Sequence, residues 1–285
     1  MIYYYAHTGH KIGLERAKRG IAVIKALANS GAEAQLLVND FRAGVAMEAY
    51  GIESYVTIET VRDIDAVASR GDVVIIDSPE DHSGRLERYC SEYQVVFRFA
   101  QKAEERVCYD EIIIKPACEE EGCIDAVIVD DTYFEPVKKS ERLLFFLGDA
   151  DHEKILLKHQ EFFQAFEMEL LLGNYFFVSY ERVLAPLFSV LHEPETYISL
   201  MKSSSVVVTA SGQAAMEAKA TGAKVVYLDL GSPSLYTPAL LETYGIAVVQ
   251  GFDSAAVKEA IIAETGPSLR KVIPFDICTI ESHYQ

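Results

Sequence analysis

Short apolar runs alternate along this chain with longer segments whose apolar residues recur at helical spacing. IYYYA near the N-terminus reads as a strand. GLERAKRGIAVIKALANSG, which follows, sets Leu14, Ala17, Ile21, Ile24 and Leu27 on or near one helix face, and Asn29-Ser30-Gly31 ends it with cap residues. AEAQLLVND predicts a strand, FRAGVAMEAYG a helix and SYVTI a short strand. GDVVIIDSPE is apolar up to Asp77, as a parallel strand buried on both faces is. QVVFRFA, EIIIKP and DAVIVDD predict further strands.

The pattern then restarts. KKSERLLFFLGDADHEKILLKHQEFFQAF reads as strand, Gly-Asp turn and helix, NYFFVSY as a strand, and EPETYISLMKSS as a helix with acids at its start. SSVVVTASGQAAMEAKATGAKVVYLDL reads as strand, tight turn, helix and strand, and TPALLETYG, IAVVQ and DSAAVKEAIIAE complete the half. No element is assigned from Gly266 to Gln285. Strands alternating with helices of this length predict βαβ units and parallel sheets. The fold expected is α/β: two Rossmann-like domains, residues 1–136 and 137–285, joined near Glu135–Glu141, with a ligand in the cleft between them. In open α/β sheets the site lies at the carboxyl ends of the strands.

Composition narrows the function. Half of the 285 residues are hydrophobic, enough for a large core. A formal net charge of -17 disfavours nucleic acid and anionic membrane surfaces as partners. Cys90, Cys108, Cys118, Cys123 and Cys278 are loosely spaced, so reduced thiols and a cytoplasmic protein are expected, without a metal site. No apolar stretch reaches the roughly 20 residues of a membrane helix, and the N-terminus does not read as a signal peptide.

Four turns at strand ends carry the candidate chemistry. In AHTGHKIGLERAKR, Gly9 and Gly13 let backbone approach a ligand, and Lys11, Arg16, Lys18 and Arg19 crowd cations around a helix start against the single acid Glu15. A bound anion would balance that cluster, as would a solvated face with salt bridges. His7 and His10 lack a third nearby ligand for a metal; at a strand exit they suit proton transfer better, with a purely structural role as the other reading. In VVVTASGQAAMEAKATGA, Ser211 can cap a helix, Gly212 can admit a diphosphate, and Glu217 can hold a ribose diol or simply favour an early helical turn. In FFLGDADH, Asp149 and Asp151 read as caps beside Gly148. In VIIDSPEDH, Asp77 could orient a histidine or a water, and His82 reads as loop surface.

TGHKIGLERAKRGIAVIKALANSGAEAQLLV and MKSSSVVVTASGQAAMEAKATGAKVVYL together resemble the nucleotide-sugar enzymes of the GT-B fold. Among these, the chain resembles the UDP-sugar hydrolase of pseudaminic acid synthesis and related spore-coat-type glycosyltransferases. FFLGDAD is similar to their Gly-Gly-x-Asp turn, which brings in Gly148 and Asp149, and VVIIDSPE to their first-domain strand ending in Asp. By that resemblance His10 matches the histidine of Gly-x-Gly-His, the base that activates water against the anomeric carbon, and Gly9 its glycine. Asp77 matches the strand-end aspartate, and Ser211, Gly212 and Glu217, with Gln213 between, the nucleotide-binding turn and helix. Arg16 or Arg19 stands for the family's arginine.

The chain departs from the pattern in three places. His7 stands where relatives have the first glycine, KIGLER separates His10 from the helix body, and the second-domain turn lacks a double glycine.

The resemblance implies an enzyme that hydrolyses or transfers the sugar of a UDP-sugar in cell-surface or flagellar glycan synthesis. Nucleotide would bind the second domain and the base lie on the first, with no obligatory metal or other cofactor. The alternatives are a glycosyltransferase with a soluble acceptor, since no apolar or basic membrane-docking patch is seen, and a catalytically silent sugar-nucleotide binder.

Overall fold

The tyrosine run forms strand β1, Ile2–Ala6, in which Tyr4 and Tyr5 are fully buried. The computed structural model describes every residue except 53, 81–83, 265, 267 and 285, so His82 lies outside the described residues. The chain divides into two compact units. The first comprises Met1–Gly9, Arg16–Asp130 and Pro274–Gln285, and the second His10–Glu15 and Asp131–Ile273.

The first unit is built on seven parallel strands in the order β3-β2-β1-β4-β5-β6-β7. They are β1, β2 Ala34–Val38, β3 Tyr55–Thr57, β4 Val73–Asp77, β5 Val95–Phe99, β6 Ile112–Lys115 and β7 Cys123–Asp125. Helices α1 Glu15–Ser30, α2 Phe41–Glu48 and α3 Leu86–Glu92 connect them. β4 is buried at every position, as its apolar run predicts. Gly20 lets α1 lie close on the sheet: a Cβ there would stand 2.7 Å from the Tyr4 ring. On one side of the sheet Tyr5, Leu37, Val74 and Ile76 pack with Ile64, Leu86 and Tyr89.

The second unit has six parallel strands in the order β10-β9-β8-β11-β12-β13. They are β8 Ser140–Phe146, β9 Glu169–Leu171, β10 Val190–His192, β11 Ser204–Thr209, β12 Lys224–Asp229 and β13 Ala247–Gln250. The connecting helices are α4 Ile155–Lys158, α5 Gln160–Gln164, α6 Val178–Leu184, α7 Tyr197–Ser203, α8 Gly212–Ala220, α9 Pro238–Thr243 and α10 Ser254–Ile262. Phe145, Phe163, Leu170, Val208 and Val226 centre its core. A last short helix, α11 Cys278–Glu281, returns to the first unit.

Three expectations are corrected. DAVIVDD pairs as a strand only at Asp125; Ile128 and Val129 are buried by packing, beyond the ladder. NYFFVSY is not a strand: the Tyr175 N–H donates to the Asp149 carbonyl at 2.9 Å instead of to a neighbouring strand, and α6 begins at Val178. The true strands β9 and β10 lie in short runs either side of it. Finally, Cys118 and Cys123 form a disulfide, closing the loop between β6 and β7, while Cys90, Cys108 and Cys278 are free thiols. No helix among the described residues is long and apolar enough to cross a membrane.

Candidate functional site

In each sheet the chain winds out one way from a central strand and then returns to its other side. The switch falls between β1 and β4 in the first unit and between β8 and β11 in the second. Loops leaving the carboxyl ends of such strand pairs form the crevice where doubly wound sheets hold ligands. The sequence candidates gather at these two places.

At the first switch, Asp77 ends β4 with no exposure to solvent. Arg19 clamps it bidentately, Nε to Oδ2 at 2.8 Å and Nη2 to Oδ1 at 2.9 Å. The Tyr4 hydroxyl donates to Oδ2 at 2.9 Å and the Gln101 amide to Oδ1 at 3.1 Å. Arg16 Nε lies 3.7 Å from Oδ1 and donates to Gln101 at 2.8 Å. Burial alone would raise the Asp77 pKa, but Arg19, then Arg16 and Gln101, more than offset it and hold the carboxyl below its ordinary value. Burial, with Asp77 beside it, keeps the Tyr4 phenol protonated far into the alkaline range. The basic cluster of α1 therefore meets an anion inside the fold. Lys18 is also buried, its ammonium 5.9 Å from the centre of the Tyr50 ring.

His7 is the first residue beyond β1, and its N–H donates to the Asp77 carbonyl at 3.0 Å. Its Nδ1 lies 3.1 Å from Glu80 Oε2. The same carboxylate oxygen accepts from the Tyr5 hydroxyl at 2.7 Å, the Ser78 hydroxyl at 2.8 Å and the Val61 N–H at 3.1 Å. Burial raises the Glu80 pKa, yet its bonds to His7, Tyr5 and Ser78 bring it down to about 2. No spacing signal singles out Glu80 in the sequence, although it follows Asp77 by three residues in the same strand exit.

At the second switch, Asp149 is buried and ties two loops together. Its carboxylate accepts from the Leu14 N–H at 3.3 Å and from the Asn174 amide at 3.1 Å. Gly148 precedes it, and Gly13, with φ of 76°, makes the left-handed turn that presents Leu14 to it. Asp151, three residues before the N-cap Lys154 of α4, accepts from the Ile155 and Leu156 N–H groups at 2.7 and 3.1 Å, and it also accepts from the Tyr180 hydroxyl.

Ser211 caps α8 by accepting from the Ala214 N–H at 3.1 Å, and its hydroxyl donates to Glu15, 196 positions away in sequence. Burial pushes the Tyr227 phenol up to about 12, with the Glu15 and Asp229 carboxylates adding to the rise. Gly212 is covered by the Tyr236 ring, which a Cβ would approach to 2.6 Å. Tyr236 donates to Gln213 at 3.0 Å, Gln213 donates to Glu217 at 3.0 Å, and Tyr197 donates to Glu217 at 2.6 Å. Gln213 and Glu217 are thus joined in one buried chain. Tyr197 and Tyr236 come from α7 and from the loop before α9, too distant in sequence for spacing to reveal.

His10 is exposed and lies on the wall of a 420 Å³ cavity in the second unit. His152 and Lys154 line it on the polar side, and Tyr175, Phe176 and Tyr180 supply aromatic surface. The structure thus brings His7, Asp77, Arg16 and Arg19 together in the first unit. It gathers His10, Gly13, Gly148, Asp149, Ser211, Gly212, Gln213 and Glu217 in the second. Gly9 closes the first segment of the first unit, between the two histidines.

No protein-family model matches the chain, and no curated protein sequence matches it. Solved structures do match. S. aureus MnaA, in a co-structure with UDP, superposes with a TM-score of 0.68 at 14% identity, covering 99% of this chain and 95% of that one. The UDP-GlcNAc 2-epimerase of Methanocaldococcus jannaschii, in complex with UDP-GlcNAc and UDP, gives 0.58 at 12% identity over 99% of this chain and 100% of that one. A glycosyltransferase from Rickettsia africae gives 0.53 at 12% identity over 91% and 86%. At such identities the likeness establishes architecture. The two parallel Rossmann-like sheets are those of a GT-B-like α/β fold.

Proposed function

We propose that the chain is a GT-B enzyme that processes a nucleotide-activated sugar, specifically a UDP-sugar. The observation that carries this reading is the second switch point, where β11 feeds a serine-capped helix N-terminus with Glu217 buried one and a half turns inside it. The amides and dipole at that N-terminus suit a diphosphate, and they stabilise it further as it departs carrying the bond's electron pair. MnaA with UDP and the M. jannaschii epimerase with UDP-GlcNAc and UDP, which share the fold, support the choice of ligand.

In this reading an imidazole of the β1 exit takes a proton from water or from an acceptor hydroxyl while the anomeric C–O bond breaks. Water as acceptor makes the protein a hydrolase; a soluble hydroxyl makes it a transferase, the alternative that the Rickettsia likeness keeps in view. His10 is the imidazole to which the resemblance points.

The test has two parts. UDP raises the thermal midpoint by mass action, because only the native state binds it, and UDP-GlcNAc or another UDP-sugar yields free UDP. Absence of any stabilisation by UDP rejects the nucleotide reading. Release of UDP without an acceptor favours the hydrolase over the transferase.

Glu15 gives a second measurement. Its carboxylate holds the cap serine of α8, where the proposed diphosphate would bring further negative charge. Glu15→Gln keeps a hydrogen-bonding side chain and removes that repulsion. It tightens UDP several-fold, on the order of 1 kcal/mol, by calorimetric titration. Unchanged or weaker UDP binding would place the diphosphate elsewhere.

A further inference from the structure

We propose that His7, oriented by Glu80, is the imidazole that accepts the proton in this reaction, and that His10 is a substrate contact on the second unit. The inference rests on the nucleotide-sugar reading and names the residue that performs its proton transfer.

The geometry carries it. His7 leaves the central strand β1 at the switch point with β4, where a doubly wound sheet offers its ligand crevice. Its Nδ1 lies 3.1 Å from Glu80 Oε2 and 3.3 Å from the Tyr5 hydroxyl. Tyr5 donates its own proton to Glu80 at 2.7 Å, so its oxygen and the carboxylate both face Nδ1 as acceptors. Burial, followed by the bond to Glu80, keeps the Tyr5 phenol protonated. Nδ1 must therefore carry hydrogen, which leaves the lone pair on Nε2. The His7 ring is half-buried, and no protein group among the described residues bonds its Nε2.

A carboxylate that fixes the tautomer of an imidazole and then stabilises the imidazolium is the orienting arrangement of a general base. Glu80 is itself held rigidly by Ser78, Tyr5 and the Val61 amide. By contrast His10 is exposed, and no hydrogen bond or ion pair orients its ring among the described residues.

The step balances simply. His7 Nε2 removes the proton of water or of an acceptor hydroxyl as that oxygen bonds to the anomeric carbon. The bond from that carbon to the diphosphate oxygen breaks, and its electron pair leaves on the nucleoside diphosphate. The imidazolium, paired with Glu80, returns its proton to solvent.

UDP release from UDP-GlcNAc and a panel of UDP-sugars, measured for wild type, His7→Gly, His10→Ala and Glu80→Gln, tests the assignment. His7→Gly, which restores the residue expected in relatives, lowers kcat at least ~100-fold. It leaves UDP affinity unchanged, and added imidazole recovers part of the rate. Glu80→Gln lowers kcat at unchanged KM and moves the ring tautomer seen by 15N NMR, a signature that mere loss of stability does not produce. His10→Ala acts mainly through KM. If His7→Gly turns over within about threefold of wild type, the assignment fails while the function stands. It fails equally if His10→Ala carries the kcat loss and imidazole does not rescue His7→Gly. If wild type neither binds UDP nor releases it from any donor, the functional reading fails and this assignment with it.

Discussion

Arg19→Met destabilises the protein by about 3–5 kcal/mol, the cost of stranding a buried charge. Asp77 is completely buried and Arg19 nearly so, and the two share a bidentate pair. Removing the guanidinium leaves the carboxylate with Tyr4, Gln101 and the more distant Arg16. Arg19→Met combined with Asp77→Asn removes both charges, and most of the lost stability returns. The double change is then far less than the sum of the singles, as expected of groups in direct contact. Urea midpoints for the two singles and the double measure this coupling. A loss under about 1 kcal/mol for Arg19→Met, or additive singles, would mean that the pair is not the support described. The result also bears on function: it gives Asp77 and Arg19 a structural duty beneath the first switch point, whatever else Asp77 does.

The second large effect is acid sensitivity at Glu80. Its folded pKa of about 2, against an ordinary 4.5, contributes about 3 kcal/mol of stability. The sign follows from the depressed value. The contribution is complete above about pH 4.5, where the unfolded carboxylate is also ionised. It disappears as pH falls toward about 2 and the folded group finally protonates. Asp77, also depressed, adds acid loss in the same direction. Urea unfolding of Glu80→Gln at intervals between pH 6 and pH 2.5 should therefore run flatter than wild type. Parallel curves for the two proteins would show that Glu80 is not held as the structure places it.

Much of the architecture was legible because burial on both faces writes itself as an apolar run. β1, β4 and β11 needed no tertiary information, and neither did the helical stripe of α1 or the serine cap of α8. Legibility failed where local chemistry and long-range contact disagree. NYFFVSY carries the aromatics of a strand, yet Asp149 claims the Tyr175 amide and the chain turns into a helix. β9, Glu-Leu-Leu, and β10, Val-Leu-His, are three residues each, and unlike the equally short β3, Tyr-Val-Thr, they carry no run of β-branched and aromatic residues to mark them. Cys118 and Cys123 looked like separate thiols because spacing carries no information about which sulfurs meet.

The candidate site divides in the same way. The order of residues alone specifies which types stand at the strand exits: two histidines, Asp77, a cluster of cations, and Ser211 with Glu217. It also determined that strands and helices alternate, since the period of apolar residues is a local property of the chain. Folding settled whom each polar group meets. It joined Arg19 to Asp77 across 58 positions, Tyr5 to Glu80 across 75 and Ser211 to Glu15 across 196. It also separated the two histidines, leaving His7 with the first unit and placing His10 with the second. An ion pair or hydrogen bond depends on distance and desolvation, which are set when sheets and loops close, and no residue spacing encodes them.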